Sequence, residues 1–270
     1  MTKKILVFLA LMCIPVTVHA SRQAERPYKA FDGFSLGANV GSSINLSDGH
    51  ANYEYANLFG GAPDAADSRT TDYKVSERGD FVHSLEIGYT HAVTERLLFG
   101  LFGSYFFETT REIRTKEYIF SNPNNRADFP RDYGVLTRID PRSHLSASLE
   151  PGLLVTDDLL AFVSIAYHYM NANLSSTSDL NASNMVAATT VTTNGTIRRS
   201  FNGIGVGGGM KYNIFKHCLL KVSAEWILFG RESANLPQFS STADEITFTQ
   251  NGKAQPSWIN IMAGISYTFG

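Results

Sequence analysis

Apolar and polar residues alternate along eight segments of the chain. In the clearest of them, 34–46, almost every even-numbered residue is apolar and every odd-numbered residue is Ser, Gly or Asn. Because residues i and i+2 of a β-strand share a face, such a segment forms a strand that is apolar on one side and polar on the other. The pattern predicts eight strands: 34–46, 81–91, 97–109, 143–155, 159–169, 203–212, 218–228 and 257–269.

The connections between the predicted strands alternate in length. Three of them are short: 92–96, 156–158 and 213–217. The other four are long and rich in Asn, Ser, Thr, Asp, Gly and Pro: 47–79, 110–141, 171–200 and 230–256. An even number of strands with this asymmetry is typical of membrane barrels. The sequence therefore predicts an all-β fold, an eight-stranded antiparallel up-and-down transmembrane β-barrel with four long extracellular loops and short periplasmic turns.

Alternation is equally compatible with a soluble β-sandwich or a lipocalin-like barrel, in which the apolar face points inward. Three features favour the inverted arrangement. The polar faces are small and glycine-rich, as in the glycine column of 203–209, and the chain ends in an alternating aromatic segment, 265–269. Aromatic residues also mark the ends of the apolar faces, as in the girdles of membrane barrels. These girdle candidates are Phe34, Tyr89, Phe107, Tyr167, Tyr169, Tyr212, Trp226, Tyr267 and Phe269.

Residues 1–20 have the features of a secretory signal peptide. Lys3 and Lys4 precede a short apolar run, and a small-residue cleavage site follows at 18–20. A lipoprotein signal lipidated at Cys13 is the alternative, and the apolar run is too short for a membrane-spanning helix. We expect 1–20 to be removed on export, 21–32 to form a short periplasmic lead, and 33–270 to form the barrel in the cell outer membrane.

In these features the sequence resembles the small eight-stranded outer-membrane β-barrel proteins of Gram-negative bacteria, of the OmpA, OmpX and Opa type. The resemblance covers roughly 33–270 and rests on the signal peptide, the strand count, the loop asymmetry and the terminal aromatic strand. It implies outer-membrane lipid, lipopolysaccharide and the barrel-assembly machinery as partners. One departure is Gly270, because chains of this family usually end in an aromatic residue, which here is the preceding Phe269.

Composition narrows the range of functions. Charged residues make up 18% of the 270, below the roughly 25% of an ordinary soluble domain, and the net charge of −2 gives no basic surface for nucleic acid. The two cysteines, Cys13 and Cys218, cannot form a disulfide framework. The histidines and cysteines have no metal-ligand spacing, and no phosphate-binding loop is present. We expect neither a cofactor nor a metal.

Several ionisable residues fall on the predicted polar faces, which line the lumen. An eight-stranded barrel is just wide enough for side chains to fill it, so buried charges there must pair. The residues expected to form a lumen charge network are Glu86, Glu108, Glu150, Lys211, Lys221 and Glu225, and the two lumen histidines are His144 and His168. A network of this kind predicts a plug that closes the lumen, and the alternative is a narrow, porin-like channel.

One constellation could support acyl transfer. His144, Ser146 and Glu150 share a strand face, and some eight-stranded barrels similar to this one deacylate lipid A. The alternation directs these three side chains into the lumen, away from lipid. We therefore expect no catalytic residues and no enzymatic activity, with a lipid A deacylase as the less favoured alternative.

The four long connections contain aromatic and arginine residues, which are enriched at protein interfaces. The first connection is acidic or mixed and the second is basic, so opposite charges could also hold the two together. The candidates for ligand contact are Tyr53, Tyr55, Arg114, Tyr118, Phe120, Arg131 and Tyr133. Two interpretations remain open: a surface that solvates the barrel and packs against lipopolysaccharide, or an adhesin-like surface for a host or matrix ligand.

Overall fold

The computed structural model describes residues 27–57, 64–74, 77–108, 111–119, 131–182, 189–235, 239–241 and 246–269. The predicted signal peptide lies outside the described residues. Within them, no helix has the length and apolar character of a membrane span. A 3-10 helix, Pro27–Ala30, precedes the strands. The strands are β1 (Gly33–Asn45), β2 (Asp48–Asn57), β3 (Asp64–Lys74), β4 (Glu77–Ala92), β5 (Leu97–Glu108), β6 (Arg111–Ile119), β7 (Arg131–Thr156), β8 (Leu159–Ala182), β9 (Thr189–Phe215), β10 (Cys218–Phe229), β11 (Glu232–Asn235), β12 (Phe239–Ser241), β13 (Ile246–Gln255) and β14 (Ser257–Phe269).

Eight of these strands close into a barrel. The order around it is β1-β4-β5-β7-β8-β9-β10-β14, every pairing is antiparallel, and β14 pairs with β1 from Phe34↔Phe269 to Asn45↔Trp258. Consecutive barrel strands are neighbours throughout, so the closed eight-stranded meander predicted from the sequence is confirmed. A closed barrel leaves no unpaired strand edge along its wall.

The segments predicted as long loops are largely strands. β7, β8 and β9 continue well past the barrel, and the β8–β9 ladder runs unbroken to Ala182↔Thr189. β6 pairs with the extension of β7, and β2, β3, β11, β12 and β13 form a second sheet. The sequence pattern missed them because segments such as 189–200 carry no apolar face, so period two leaves no signal in them. We call this end of the barrel the extension end and the other the short-turn end.

The outward face of the barrel is apolar and the inward face is polar. Leu36 is 55% exposed, Leu101 59% and Val163 62%, whereas Glu86 and Lys211 are buried. Of the girdle candidates, all but the half-buried Tyr169 have exposed rings on the outer surface. This distribution is the reverse of a soluble barrel, in which apolar side chains fill the interior.

Apolar side chains close the short-turn end of the lumen. Phe31, directly after the 3-10 helix, is 2% exposed and packs with Leu98, Leu154, Leu160 and Leu219. The following residue, Asp32, accepts a hydrogen bond of 3.2 Å from the backbone nitrogen of Ala92. The last two residues of the lead predicted at 21–32, Phe31 and Asp32, therefore contact the barrel and cap its short-turn end.

Candidate functional site in the barrel lumen

The centre of the lumen holds a network of four buried charges. Lys221 Nζ donates to Glu86 Oε2 at 2.7 Å and to Glu150 Oε1 at 2.9 Å. Lys211 Nζ donates to the other oxygen, Glu150 Oε2, at 2.7 Å. These residues lie on β4, β7, β9 and β10, so the network ties together half of the barrel strands across the interior.

Two phenylalanines enclose the lysines. Lys211 Nζ lies 3.9 Å from the ring centre of Phe102 and 5.0 Å from that of Phe162, and Lys221 Nζ lies 5.2 Å from both. Phe102 breaks the alternation of its strand, and the structure explains why. Its ring lies over Gly88 and Gly100, where an added Cβ would stand 2.0 and 2.3 Å from ring atoms. Phe102 therefore points into the lumen because its ring stacks on the two ammonium groups and shields them from water.

Glu225 belongs to a second cluster, nearer the extension end. His168 Nε2 lies 3.2 Å from Glu225 Oε1, and His168 Nδ1 lies 2.9 Å from His144 Nε2. A carboxylate only accepts, so His168 donates to it through Nε2, and in its neutral form accepts from His144 through Nδ1. Glu225 was expected in one charge network with the lysines, but it lies four residues beyond Lys221 on β10, about 13 Å along the strand.

Aromatic rings surround the histidine pair. The Phe106 and His144 rings stack with centroids 4.5 Å apart, and Phe229 and Trp258 meet edge to face at 4.8 Å. Above them lies an apolar layer made of Ile139, Met170, Ala172, Leu174, Phe201, Ile227, Phe229 and Trp258. Phe106 is the second aromatic residue that broke the alternation of β5, and here too the exception marks a ring inside the lumen.

Between the two clusters the lumen narrows to a cavity of about 40 Å³, room for a few water molecules at most. Side chains from seven of the eight barrel strands, all but β9, line it, among them Glu86, Lys221, Glu225 and a group of serines. From the short-turn end outward, the lumen thus contains an apolar layer around Phe31, the charge network, the histidine cluster and a second apolar layer.

The other predicted site residues are placed as follows. Glu108 ends β5, opposite Val82 in the ladder, and its side chain is outside the described part of the chain. Tyr53 and Tyr55 lie on β2, Arg114 and Tyr118 on β6, and Arg131 and Tyr133 on β7, with Tyr118 opposite Tyr133. Their side chains are not among those described, and Phe120 falls outside the described residues altogether.

The residues considered for acyl transfer are engaged in separate contacts. Glu150 accepts from both lysines, and His144 is hydrogen-bonded to His168. Their neighbour Leu145 is 47% exposed on the outer face, so His144 and Ser146 point inward. Across the described residues, no three His, Cys, Asp or Glu side chains converge in a way that could hold a metal ion.

Comparison with known proteins finds distant likenesses only. No protein-family model and no curated protein matches the chain. Among solved structures, the attachment invasion locus protein Ail of Yersinia pestis is 11% identical, covering 86% of this chain and 99% of its own, with a TM-score of 0.27. The outer membrane protease OmpT of Escherichia coli is 11% identical, and the match covers 87% of this chain and 97% of OmpT with a TM-score of 0.32. The N-terminal β-barrel domain of OprF of Pseudomonas aeruginosa is 12% identical, and the match covers 84% of this chain and 99% of that domain with a TM-score of 0.29. Likenesses this distant carry no argument about the chain's activity.

Proposed function

We propose that the protein is a Gram-negative outer-membrane barrel whose lumen is a closed structural plug and whose surface function resides in the strand extensions. The observation that carries this proposal is the inverted distribution of side chains. A contiguous apolar surface around a whole barrel is far larger than the few hundred Å² that a soluble monomer exposes. Lipid is the solvent that such a surface requires.

The dimensions support a membrane location. The barrel strands β5 and β10 have 12 residues and β14 has 13. At about 3.3 Å per residue and a tilt of about 40°, 12 residues rise roughly 30 Å, close to the apolar band of about 25 Å of outer-membrane barrels. The exposed aromatic rings at the strand ends fit the interfaces of that band.

The lumen favours a plug over a pore. A diffusion channel needs a continuous polar path, whereas in this lumen an apolar layer at each end encloses two polar clusters, and the charges of the lysine network are already paired. Breaking buried ion pairs costs several kcal/mol, so the network is not a gate that opens easily. We assign it the role of holding the barrel strands in register.

The extensions are where we place ligand or host binding. They carry all of the aromatic and arginine candidates named above except Phe120, outside the apolar band and on strands joined to the barrel, the setting in which binding residues commonly occur. An adhesin-like protein that contacts a host or matrix ligand through β2, β6 and the outer part of β7 is the function that we propose.

The test compares cells that express the full chain with cells that express a variant in which 111–138 is replaced by a short turn. Both barrels should be inserted, as judged by different gel migration before and after boiling. Only the full chain should confer adhesion to host cells or to immobilised matrix proteins. Equal adhesion of the two strains would contradict the proposal. Loss of one acyl chain from lipid A, dependent on Ser146, would instead favour the deacylase.

A further inference from the structure

A groove on the outer wall of the barrel lies where three strands pass into the extension sheet. Its volume is about 490 Å³, and its lining residues are Leu46, Trp226, Leu228, Gln255, Ser257 and Ile259. At this level β1 and β10 end and β14 begins, and one or two residues join each of them to β2, β11 and β13 of the second sheet. The groove therefore marks the joint between the barrel and the second sheet.

The groove exists because a small residue stands between large ones. In the ladder, Ser257 lies opposite Leu228, in the row next to the Trp226↔Ile259 pair. The hydroxyl of Ser257 accepts a hydrogen bond of 2.9 Å from Trp226 Nε1, which fixes the indole as one wall. Trp226 is 47% exposed, so its ring is available while its polar atom is already satisfied.

The two ends of the groove differ in chemistry. Toward the barrel its walls are aliphatic and aromatic, and toward the extensions it is bounded by Gln255. Arg231 Nη2 donates to Gln255 Oε1 at 3.4 Å, which places an exposed guanidinium at this polar end. An apolar slot with a cation at one end is complementary to an amphiphile that has an acyl chain and an anionic headgroup.

We propose that this groove is a binding site for one membrane lipid, with an acyl chain against Trp226, Leu228 and Ile259 and an anionic phosphate headgroup at Arg231. The inference rests on the proposed membrane location, since that location presents the groove to lipid. The groove would retain one lipid at a single site. The lipid around the other outward residues, in contrast, would exchange without a defined site.

The two tryptophans of the chain provide the experiment. Trp226 lines the groove, whereas Trp258 is fully buried in the lumen. A Trp258→Phe variant in detergent micelles is titrated with phosphatidylglycerol that carries bromine on its acyl chain, a quencher that acts at contact. We expect quenching of Trp226 that saturates near one lipid per protein. The reciprocal Trp226→Phe variant, which reports on Trp258, should not be quenched.

Matched variants locate the lipid. Ile259→Phe fills the groove and should abolish the saturable phase, whereas Ile265→Phe, on the outer face of the same strand, should retain it. Arg231→Gln should weaken binding of the anionic lipid about fivefold. This factor corresponds to the roughly 1 kcal/mol that one cation near an anionic headgroup contributes. Binding of brominated phosphatidylcholine should be unchanged. Native mass spectrometry of the unsubstituted chain and of Ile259→Phe counts the retained lipid without relying on the tryptophan variants.

The outcomes separate the two proposals. Quenching that rises linearly with lipid and is equal in all variants would overturn the lipid site and leave the membrane barrel intact. Absence of quenching of Trp226 even in a bilayer made of brominated lipid would overturn the membrane location itself. A dimer in native mass spectrometry that Ile259→Phe disrupts would replace the lipid by a second copy of the chain.

Discussion

Lys221 is the residue that connects the two carboxylates of the lumen network. Replacing it with Met keeps the length of the side chain but leaves Glu86 and Glu150 to share Lys211. Removing one partner of a buried pair typically costs about 3–5 kcal/mol, because the remaining charge stays buried. We expect Lys221→Met to lower the free energy of unfolding by this amount in a urea titration in micelles. Lys216→Met, in an exposed turn, is the control, and equal stability of the two variants would refute the role of the network.

Gly205 provides a test of the histidine cluster that alters no ionisable residue. A Cβ at this position would lie 2.5 Å from Glu225 Oε1 and 2.6 Å from His168 Nε2, so Gly205→Ala must separate the two groups. We expect a loss of about 1–3 kcal/mol, the cost of leaving the buried His168 donor without its acceptor, in the same unfolding assay. Gly103→Ala is the matched control, because its Cβ would meet its nearest neighbours at 3.9 Å. An undisturbed Gly205→Ala barrel would show that the cluster adds no stability.

Sequence periodicity predicted which face most lumen residues occupy but not which partners they meet. Glu86, Glu150 and Lys221 are buried on the inner face, the side of the wall to which a period of two assigns them. The pairing of Glu225 with His168 depends on the stagger of β8 against β10, two strands that β9 separates. Phe102 and Phe106 interrupt the pattern because, inside the lumen, their rings are stabilised by stacking on a lysine and a histidine, respectively.

At the scale of the strand, the barrel should fold without the outer part of its longest hairpins. The β5–β7 ladder from Phe106↔His144 to Leu97↔Leu153 lies entirely outside 111–138. Replacing 111–138 by a short turn should therefore preserve heat-dependent migration on a gel and lower the unfolding midpoint only slightly. Replacing 176–195 at the β8–β9 tip by a turn of the same design is the parallel variant. A barrel that fails to insert after either change would show that the extensions are needed for folding.

The barrel strands could be predicted from the sequence and the extensions could not. Within the barrel one face meets apolar surroundings and the other a polar interior, so each strand carries alternation, as β1 does from Phe34 to Leu46. Beyond it, β9 from Thr189 to Ser200 reads TTVTTNGTIRRS, in which polar residues dominate both faces. The backbone ladder with β8 continues through this segment, and backbone hydrogen bonding leaves no mark on the side-chain pattern.

For the whole molecule, the layers of the lumen act in series. Opening one layer leaves the others closed. Phe31→Ala removes the cap at the short-turn end, and we expect this variant to keep the ion conductance of the wild type. Planar-bilayer recording of single insertions provides the measurement. The remaining barriers are the charge network and the apolar layer around Trp258 and Phe229. Steady channels in Phe31→Ala alone would identify the N-terminal cap as the sole gate.

In the membrane location that we propose, the length of β9 would set the distance at which the extensions meet a partner. Its 27 residues, at about 3.3 Å each and a tilt of about 40°, rise roughly 70 Å, of which about 25 Å lie in the apolar band. In that location the outermost described pair of the β8–β9 ladder, Ala182 and Thr189, would stand some 40 Å above the lipid surface, on a hydrogen-bonded ladder. If the protein is the adhesin that we propose, contact with another cell would depend on the thickness of the surrounding carbohydrate coat. A bacterium that lengthens this coat beyond about 40 Å would conceal the tip without any change in the protein.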